Sequence, residues 1–241
     1  MRSYVADLHI HSCLSPCGSL RMSPQAIVDA AVDRGIDVIA LTDHNTCEMG
    51  PVVAHTAEKA GLAFLYGIEI QTREEVHLLA YFNDADACNA LSEEVYAYLP
   101  DVRNDPEYFG DQVVVDEQDN IIRTEEKLLL NSITLSLEDV TERVRAHGGL
   151  PVPAHIDRGA FSLLGQLGFF PETTVYPIVE VWGATVPNEC GQRAILRSSD
   201  AHEPEQIGRR TSVLTMERVS VEEILLAAAG VGGRSIRSEE S

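Results

Sequence analysis

Six of the eight histidines in this chain stand in or directly after apolar runs of strand length: His9, His11, His44, His77, His155 and His202. Asp43, Glu69 and Asp200 occupy the same kind of position. Few folds can use such a pattern. Where strands alternate with helices around a barrel, the carboxyl ends of the strands converge on one face, and side chains far apart in sequence become neighbours there. The chain carries that alternation. Tyr4 to His11, Val38 to Thr42, Ala63 to Ile68 and Val76 to Phe82 read as four strands. Ser23-Pro24 marks a helix start, and Gly61 closes a second helix running from about Val52. Strands separated by helices argue for parallel pairing with crossovers. Leu150 to His155, Ile178 to Trp182, Ala194 to Ser199 and Thr211 to Met216 continue the series, and Val221 to Ala229 reads as a closing helix.

The rhythm breaks between about 83 and 135. Asp84 to Leu99 has a helical pattern, 101–110 is polar, and two β-branched runs around Asp119-Asn120 suggest a hairpin. This stretch reads as an insertion, a lid or an interface, in one domain spanning 1–230. Residues 231–241, rich in glycine, serine and charge, read as a flexible tail.

Within the first strand, side chains two apart share a face. Asp7, His9 and His11 are therefore expected on one face, with Leu8 and Ile10 on the other. Two imidazoles so placed can hold one cation between them. An isolated His-x-His is equally compatible with a plain surface pair; the other strand-end histidines favour the metal.

Composition narrows the classes. At 44% hydrophobic and 23% charged residues the chain is ordinary for a water-soluble domain. No apolar run approaches the roughly 20 residues needed to span a bilayer. The start has one arginine and then enters strand pattern, so no signal peptide is read and a cytoplasmic location without membrane contact is expected. The five cysteines include no Cys-x-x-Cys pair and read as reduced thiols or ligands. A formal charge of −20, from 38 acidic and 18 basic residues, argues against long nucleic acid as a partner. It leaves room for a small phosphorylated substrate. The oligomeric state is not legible.

Asp7-Leu-His9-Ile-His11-Ser, Thr42-Asp43-His44-Asn45, Gly67-Ile-Glu69, Val76-His77-Leu78, Ala154-His155 and Ser199-Asp200-Ala-His202 occur in the order of the PHP family, the polymerase and histidinol phosphatase group of metal-dependent phosphoesterases, which this chain resembles. The resemblance implies an α/β fold, a distorted seven-stranded (β/α) barrel, here with the inserted segment. It also implies two or three divalent ions, with zinc expected and manganese or iron as alternatives. One ion would be held by His9, His11, Glu69 and Asp200, and a second by Glu69 as bridge with His77 and His155. A third would take His44, His202 and a residue of the loop after the first strand, where the nearest match is Cys17. A thiolate is a good and soft zinc ligand.

Two cations about 3.5–4 Å apart can activate a bridging hydroxide and stabilise phosphoryl oxygens. Asp200 is the candidate proton acceptor or relay, Arg158 the candidate phosphate-binding group, and Asp7 and Asp43 read as residues orienting imidazoles. Arg197, Arg209 and Arg210 are weaker phosphate candidates. His55 and His147 sit on helices as ordinary residues, and Trp182 reads as core. The expected function is metal-dependent hydrolysis of a phosphoester of a small metabolite or nucleotide. Two rivals stand beside it. An amidohydrolase also uses His-x-His on a first strand, but commonly bridges its metals with a carboxylated lysine, and Lys59 and Lys127 are poorly placed for that. The other is a non-catalytic metal-binding regulatory module on the same barrel.

Overall fold

The apolar run after Met1 becomes β1 (Arg2–Ile10), whose last five residues are buried in the computed structural model, which describes residues 1–238. Helix α1 (Pro24–Asp33) returns the chain to β2 (Val38–Leu41), and α2 (Gly50–Ala60) to β3 (Ala63–Gln71). Ser23 caps α1 by accepting from the Ala26 N–H, and the left-handed Gly61 (φ 74°) ends α2 by donating to carbonyls of its last turn. These three strands are parallel, as the alternation predicts.

The next pairing departs from that expectation. β4 (His77–Phe82) lies antiparallel to β3, because residues 72–76 are too few for a crossover. Helix α3 (Ala85–Tyr98) then buries Cys88, Leu91 and Val95 against the sheet, so the part of the supposed insertion before Leu99 belongs to the helical layer. Beyond it come α4 (Pro106–Phe109) and the expected hairpin, β5 (Val113–Val115) with β6 (Ile121–Thr124). A capping box between Ser136 and Asp139 opens α5 (Leu137–Ala146), which leads to β7 (Leu150–Pro153), antiparallel to β4.

After α6 (Leu163–Leu167), β8 (Ile178–Glu180) and β9 (Ala194–Leu196) form a separate parallel ribbon. β10 (Ser212–Met216) pairs antiparallel with β1. Helix α7 (Val221–Ala228) follows, and β11 (Ser235–Ser238) pairs with β10. The expected tail is thus part of the sheet as far as Ser238; residues 239–241 lie outside the described residues.

The result is an α/β fold on a seven-stranded sheet ordered β11-β10-β1-β2-β3-β4-β7. The hydrogen-bonded ladder is open; the β8–β9 ribbon sits between its ends, β8 beside β7 and β9 beside β11. Leu8, Val38, Leu65, Leu79 and Tyr81 pack with Ile178 and Leu196 of the ribbon inside this curl. Ile39, Leu41, Ile68 and Leu78 face the helices instead. Among the described residues no helix is long and apolar enough to cross a membrane.

Gly67 of β3 lies tight against the end of β2. A Cβ there would stand 2.7 Å from Thr42 Cγ2 and 2.8 Å from the Leu41 carbonyl oxygen. Gly67→Ala is expected to cost about 1–3 kcal/mol, read as a melting temperature lower by roughly 2–4 °C for each kcal/mol. An unchanged melting temperature would mean the two strands separate freely.

Candidate metal centre

The register of β1 against β2 shifts between Asp7 and Ile10. Such a bulge re-aims side chains. Leu8 stays in the enclosed core and Ile10 turns to the helices, while His9 and His11 bring their Nε2 atoms to 3.2 Å of each other. Asp7 does not join them, so the expected shared face of three residues is reduced to two. Beyond the strands, bridges between Ile10 and Ala201 and between His44 and Glu69 carry the ladder into the loops. They bring Thr42 to Asn45 and Ser199 to His202 to the same mouth. Four residues at this mouth adopt left-handed backbone, Asn45 (φ 53°), His155 (φ 28°), Phe161 (φ 54°) and Asp200 (φ 49°), a strain persisting only where surroundings enforce it. For Asn45 the enforcement is visible. Its amide donates to the Leu129 and Asn131 carbonyls at 2.8 and 2.9 Å and accepts from the Gln71 N–H at 3.1 Å.

Glu69 is the hub. Its Oε1 lies 3.3 Å from His9 Nε2, 2.8 Å from His77 Nδ1 and 3.2 Å from His155 Nε2. Oε2 lies 3.4 Å from His11 Nε2 and 3.1 Å from His44 Nδ1. Asp200 Oδ1 completes the cluster at 3.2 Å from His9 Nε2 and 3.1 Å from His11 Nε2. Burial works against charge on both acids, yet the imidazoles hold Glu69 and Asp200 well below the usual carboxylate range. His44 and His77 are pushed down chiefly by burial, and His202 to about 4 by burial and then by His11. Neutral imidazoles and ionised carboxylates are the protonation states that bind metal. His9 differs, since burial pushes it down but Asp200, Glu180 and Glu69 raise it well above its usual range, so a cation would have to displace its proton.

The donor set fits cations. The Nδ1 atoms of His44 and His77 are buried and close to Glu69, yet neither is aligned as a hydrogen bond. Donor atoms facing one another without bonding are what a shared cation would occupy. Among the described residues, three groups have ligand atoms all within 4.8 Å of one another: His9, His11 and Glu69; His44, Glu69 and His77; and His11, Cys17, His44 and His202. Every metal-ligand candidate read from the sequence is thus brought to this mouth. The partition differs in that His44 reaches Glu69 and His77 as well as Cys17 and His202. The side chain of Cys17 reaches solvent; desolvation at the mouth, then the charges of Glu69, Asp200 and Asp43, push its thiol up. A cation beside it would reverse those charges.

Sequence reasoning missed Glu180. It is buried at the end of β8 and accepts from His9 Nδ1 at 3.0 Å and from the His155 N–H at 3.0 Å. A carboxylate among apolar strand residues, Ile178-Val-Glu-Val, was the available signal. Burial opposes its charge, but His9 holds it below the usual carboxylate range. His11 is steadied differently. Its Nδ1 is 3.0 Å from Ser15 Oγ, which donates to Asp43 Oδ1 at 2.6 Å. Asp43 therefore reaches an imidazole only through Ser15.

Asp7, expected to orient an imidazole, instead accepts from the Ser199 and Gly208 N–H groups at 2.9 and 2.8 Å and pins the loop that carries Asp200. Burial raises its carboxyl from 3.8 to about 6. Because the folded value lies above the unfolded one, the folded chain binds the extra proton, and this contribution to stability falls as pH rises from about 4 to about 6. Denaturant titrations of wild type and Asp7→Asn across that window should show the falling limb only in the wild type; parallel curves would refute the assignment.

Arg158 Nη1 sits 2.6 Å from Asp200 Oδ2, so its guanidinium contacts the cluster itself. A cavity of about 370 Å³ opens over the cluster, its walls including Cys17, His44, His77 and Arg158 with Phe109, Leu130 and Phe161. Phe109 and Leu130 come from the insertion, which also braces the Cys17 loop by the Val113 N–H donating to the Cys13 carbonyl. Trp182, expected in the core, is half-buried, with the guanidiniums of Arg158 and Arg210 3.8 and 3.7 Å from its ring centroid. His55 and His147 pair with Glu117 and Glu94, away from the cluster.

Residues 7–147, more than half of the chain, match the model of the PHP domain family, and the chain belongs to that family. It is 33% identical over 97 residues to an uncharacterized protein of Methanocaldococcus jannaschii, an alignment covering 37% of this chain and 56% of that one. Over 80 residues it is 34% identical to a PolC-type DNA polymerase III of Oceanobacillus iheyensis, covering 33% of this chain and 6% of the polymerase. The fold is shared with the lesion-specific endonuclease Q of Pyrococcus furiosus, with a TM-score of 0.73 at 20% identity over 98% of this chain and 58% of that chain. An endonuclease Q complex with a 27-mer duplex substrate, an abasic lesion at its active site, matches equally well, with a TM-score of 0.73. The exclusion of long nucleic acid drawn from the acidic composition is therefore withdrawn. Net charge is a poor guide here, because exposed charges are screened over about 8–10 Å in physiological salt.

Proposed function

We propose that this chain is a hydrolase that uses two or three divalent cations, zinc foremost given the histidine and cysteine donors, to cleave phosphoesters. The observation that carries this is Glu69, one carboxylate with five imidazoles 2.8–3.4 Å from its two oxygens. Such cations supply Lewis acidity to phosphoryl oxygens and lower the pKa of water. The chain's own groups do the rest. Glu69 can bridge through its two oxygens, with His9, His77 and His155 on one side and His11 and His44 on the other. Asp200 presents Oδ1 to the histidines and Oδ2 to Arg158, and is ionised and placed to accept a proton at the mouth. Arg158 can turn its planar fork to a phosphate oxygen while remaining beside Asp200. Phe109, Leu130 and Phe161 limit water around the reacting group.

Phosphodiesters of nucleic acid enter the substrates to be tested because endonuclease Q shares the fold. The amidohydrolase alternative lacks its bridge: Lys59 pairs with Glu117 and Lys127 with the Tyr96 carbonyl, both on the surface. The test is turnover by zinc- or manganese-loaded protein of p-nitrophenyl phosphate, bis-p-nitrophenyl phosphate and a duplex carrying an abasic site. Turnover abolished by chelation and restored by metal is the expected result. Full metal binding with none of the three hydrolysed would leave the regulatory module.

A further inference from the structure

A second cavity, of about 660 Å³, adjoins the metal-ligand cluster and shares Arg158, Asp200 and His202 with the first. Its remaining walls include Trp182, Gln206, Arg209 and Arg210. In a chain of net charge −20 this is a local concentration of arginine. Asp200 is the carboxylate in its wall and Asp157 lies near Arg210, and both are engaged elsewhere. Asp157 accepts from the Trp182 and Gly183 N–H groups at 2.7 Å each, and Asp200 holds Arg158 and the histidines.

Trp182 is fixed rather than loosely exposed. Besides Asp157, Arg197 holds its loop by donating to the Val181, Gly183 and Ala184 carbonyls. Arg158 and Arg210 lie over its ring. Arg209 is exposed, and neither it nor Arg210 has an ion pair among the described residues. Burial, then the like charges of Arg158 and Arg197, disfavours the cationic form of Arg210, an imbalance an anion would relieve. Both faces of the Trp182 ring are covered by the guanidiniums of Arg158 and Arg210, so the arginine planes are what the site offers. They match phosphate oxygens, and splayed bases of a single strand stack on them. The cavity is on the scale of whole ligand sites, about 300–1,000 Å³, so it has room for more than one phosphate.

We infer that this cavity is a second subsite, taking the non-reacting phosphate and base next to the scissile phosphoester in a single nucleic-acid strand. This rests on phosphoester hydrolysis at the adjoining metal centre and names the substrate class for it.

The test is binding of a short fluorescein-labelled DNA single strand, followed by anisotropy at several salt concentrations with chelator present to stop turnover. Arg210→Gln and the exposed Arg209→Gln are each expected to weaken binding about tenfold, with the salt slope smaller by about 0.7 for each phosphate no longer neutralised. Arg2→Gln removes one charge at the far end of β1, where Arg2 pairs with Asp37, and should bind as wild type does. A strand with neutral methylphosphonate linkages should not distinguish wild type from Arg210→Gln. Unchanged affinity in both cavity variants, or an equal loss in Arg2→Gln, overturns the subsite. A subsite failure accompanied by turnover of bis-p-nitrophenyl phosphate leaves the phosphoesterase reading intact. Strand binding through Arg209 and Arg210 without turnover of any phosphoester sinks that reading instead.

Discussion

Glu69→Gln is expected to remove at least one cation per chain and to lower phosphoester turnover on the order of 10³-fold. The substitution keeps the shape of the side chain, so the effect isolates charge and donor number. A glutamine offers one oxygen, and its amide must face either His9, His77 and His155 or His11 and His44. At neutral pH the carboxylate is the species present, since these imidazoles hold it well below the usual range. Loss of one bridging ligand from a cluster supplying several kcal/mol of transition-state stabilisation costs about 4 kcal/mol, which sets the expected fall in rate. Metal content after gel filtration and turnover of bis-p-nitrophenyl phosphate provide the two readings. Retention of both would remove Glu69 from the centre of the chemistry, whatever the fold.

The second large effect belongs to Glu180. Glu180→Ala leaves His9 Nδ1 and the His155 N–H without the acceptor they now share, in a region closed to water. Unpartnered buried groups of this kind cost about 2–4 kcal/mol together, read as a melting temperature lower by roughly 2–4 °C for each kcal/mol. Metal affinity should fall as well, about 10–100-fold, because an imidazole whose outer nitrogen is unheld no longer aims its inner one. Melting of the metal-free protein separates these effects from each other. Glu180→Gln, which keeps an acceptor, should recover most of the stability and less of the affinity. Wild-type affinity in Glu180→Ala would reduce the residue to a packing role.

Much of this centre was legible because metal ligands are few in kind and strand ends are marked by the change from apolar to polar residues. His44 and Asp200 stand just past such changes, and His9, Glu69, His77 and His155 are single polar residues set between apolar ones. The antiparallel β3–β4 pair was missed although its signal was present, since residues 72–76 cannot form a crossover. The bulge that parts Asp7 from His9 was not legible, because it arises from the register against β2 and leaves no mark in local pattern. Nor was the setting of Trp182. An aromatic residue after a strand looks like core until Arg158 and Arg210, distant in sequence, arrive over its ring. Net charge misled for a related reason: a sum over 241 residues says nothing about where a few arginines gather.

The candidate ligands are drawn from both ends of the polypeptide. His9, His11, Cys17, His44, Glu69 and His77 precede α5, whereas His155, Asp200 and His202 follow it, with Glu180 behind them, and β1 itself rests on β10. The matched segment, 7–147, therefore holds the earlier motifs but only part of the cage. Severed behind α5, the leading fragment would keep its own metal-seeking side chains and forfeit their counterparts, so tight zinc uptake should emerge only when the trailing piece is supplied and the two halves reassociate.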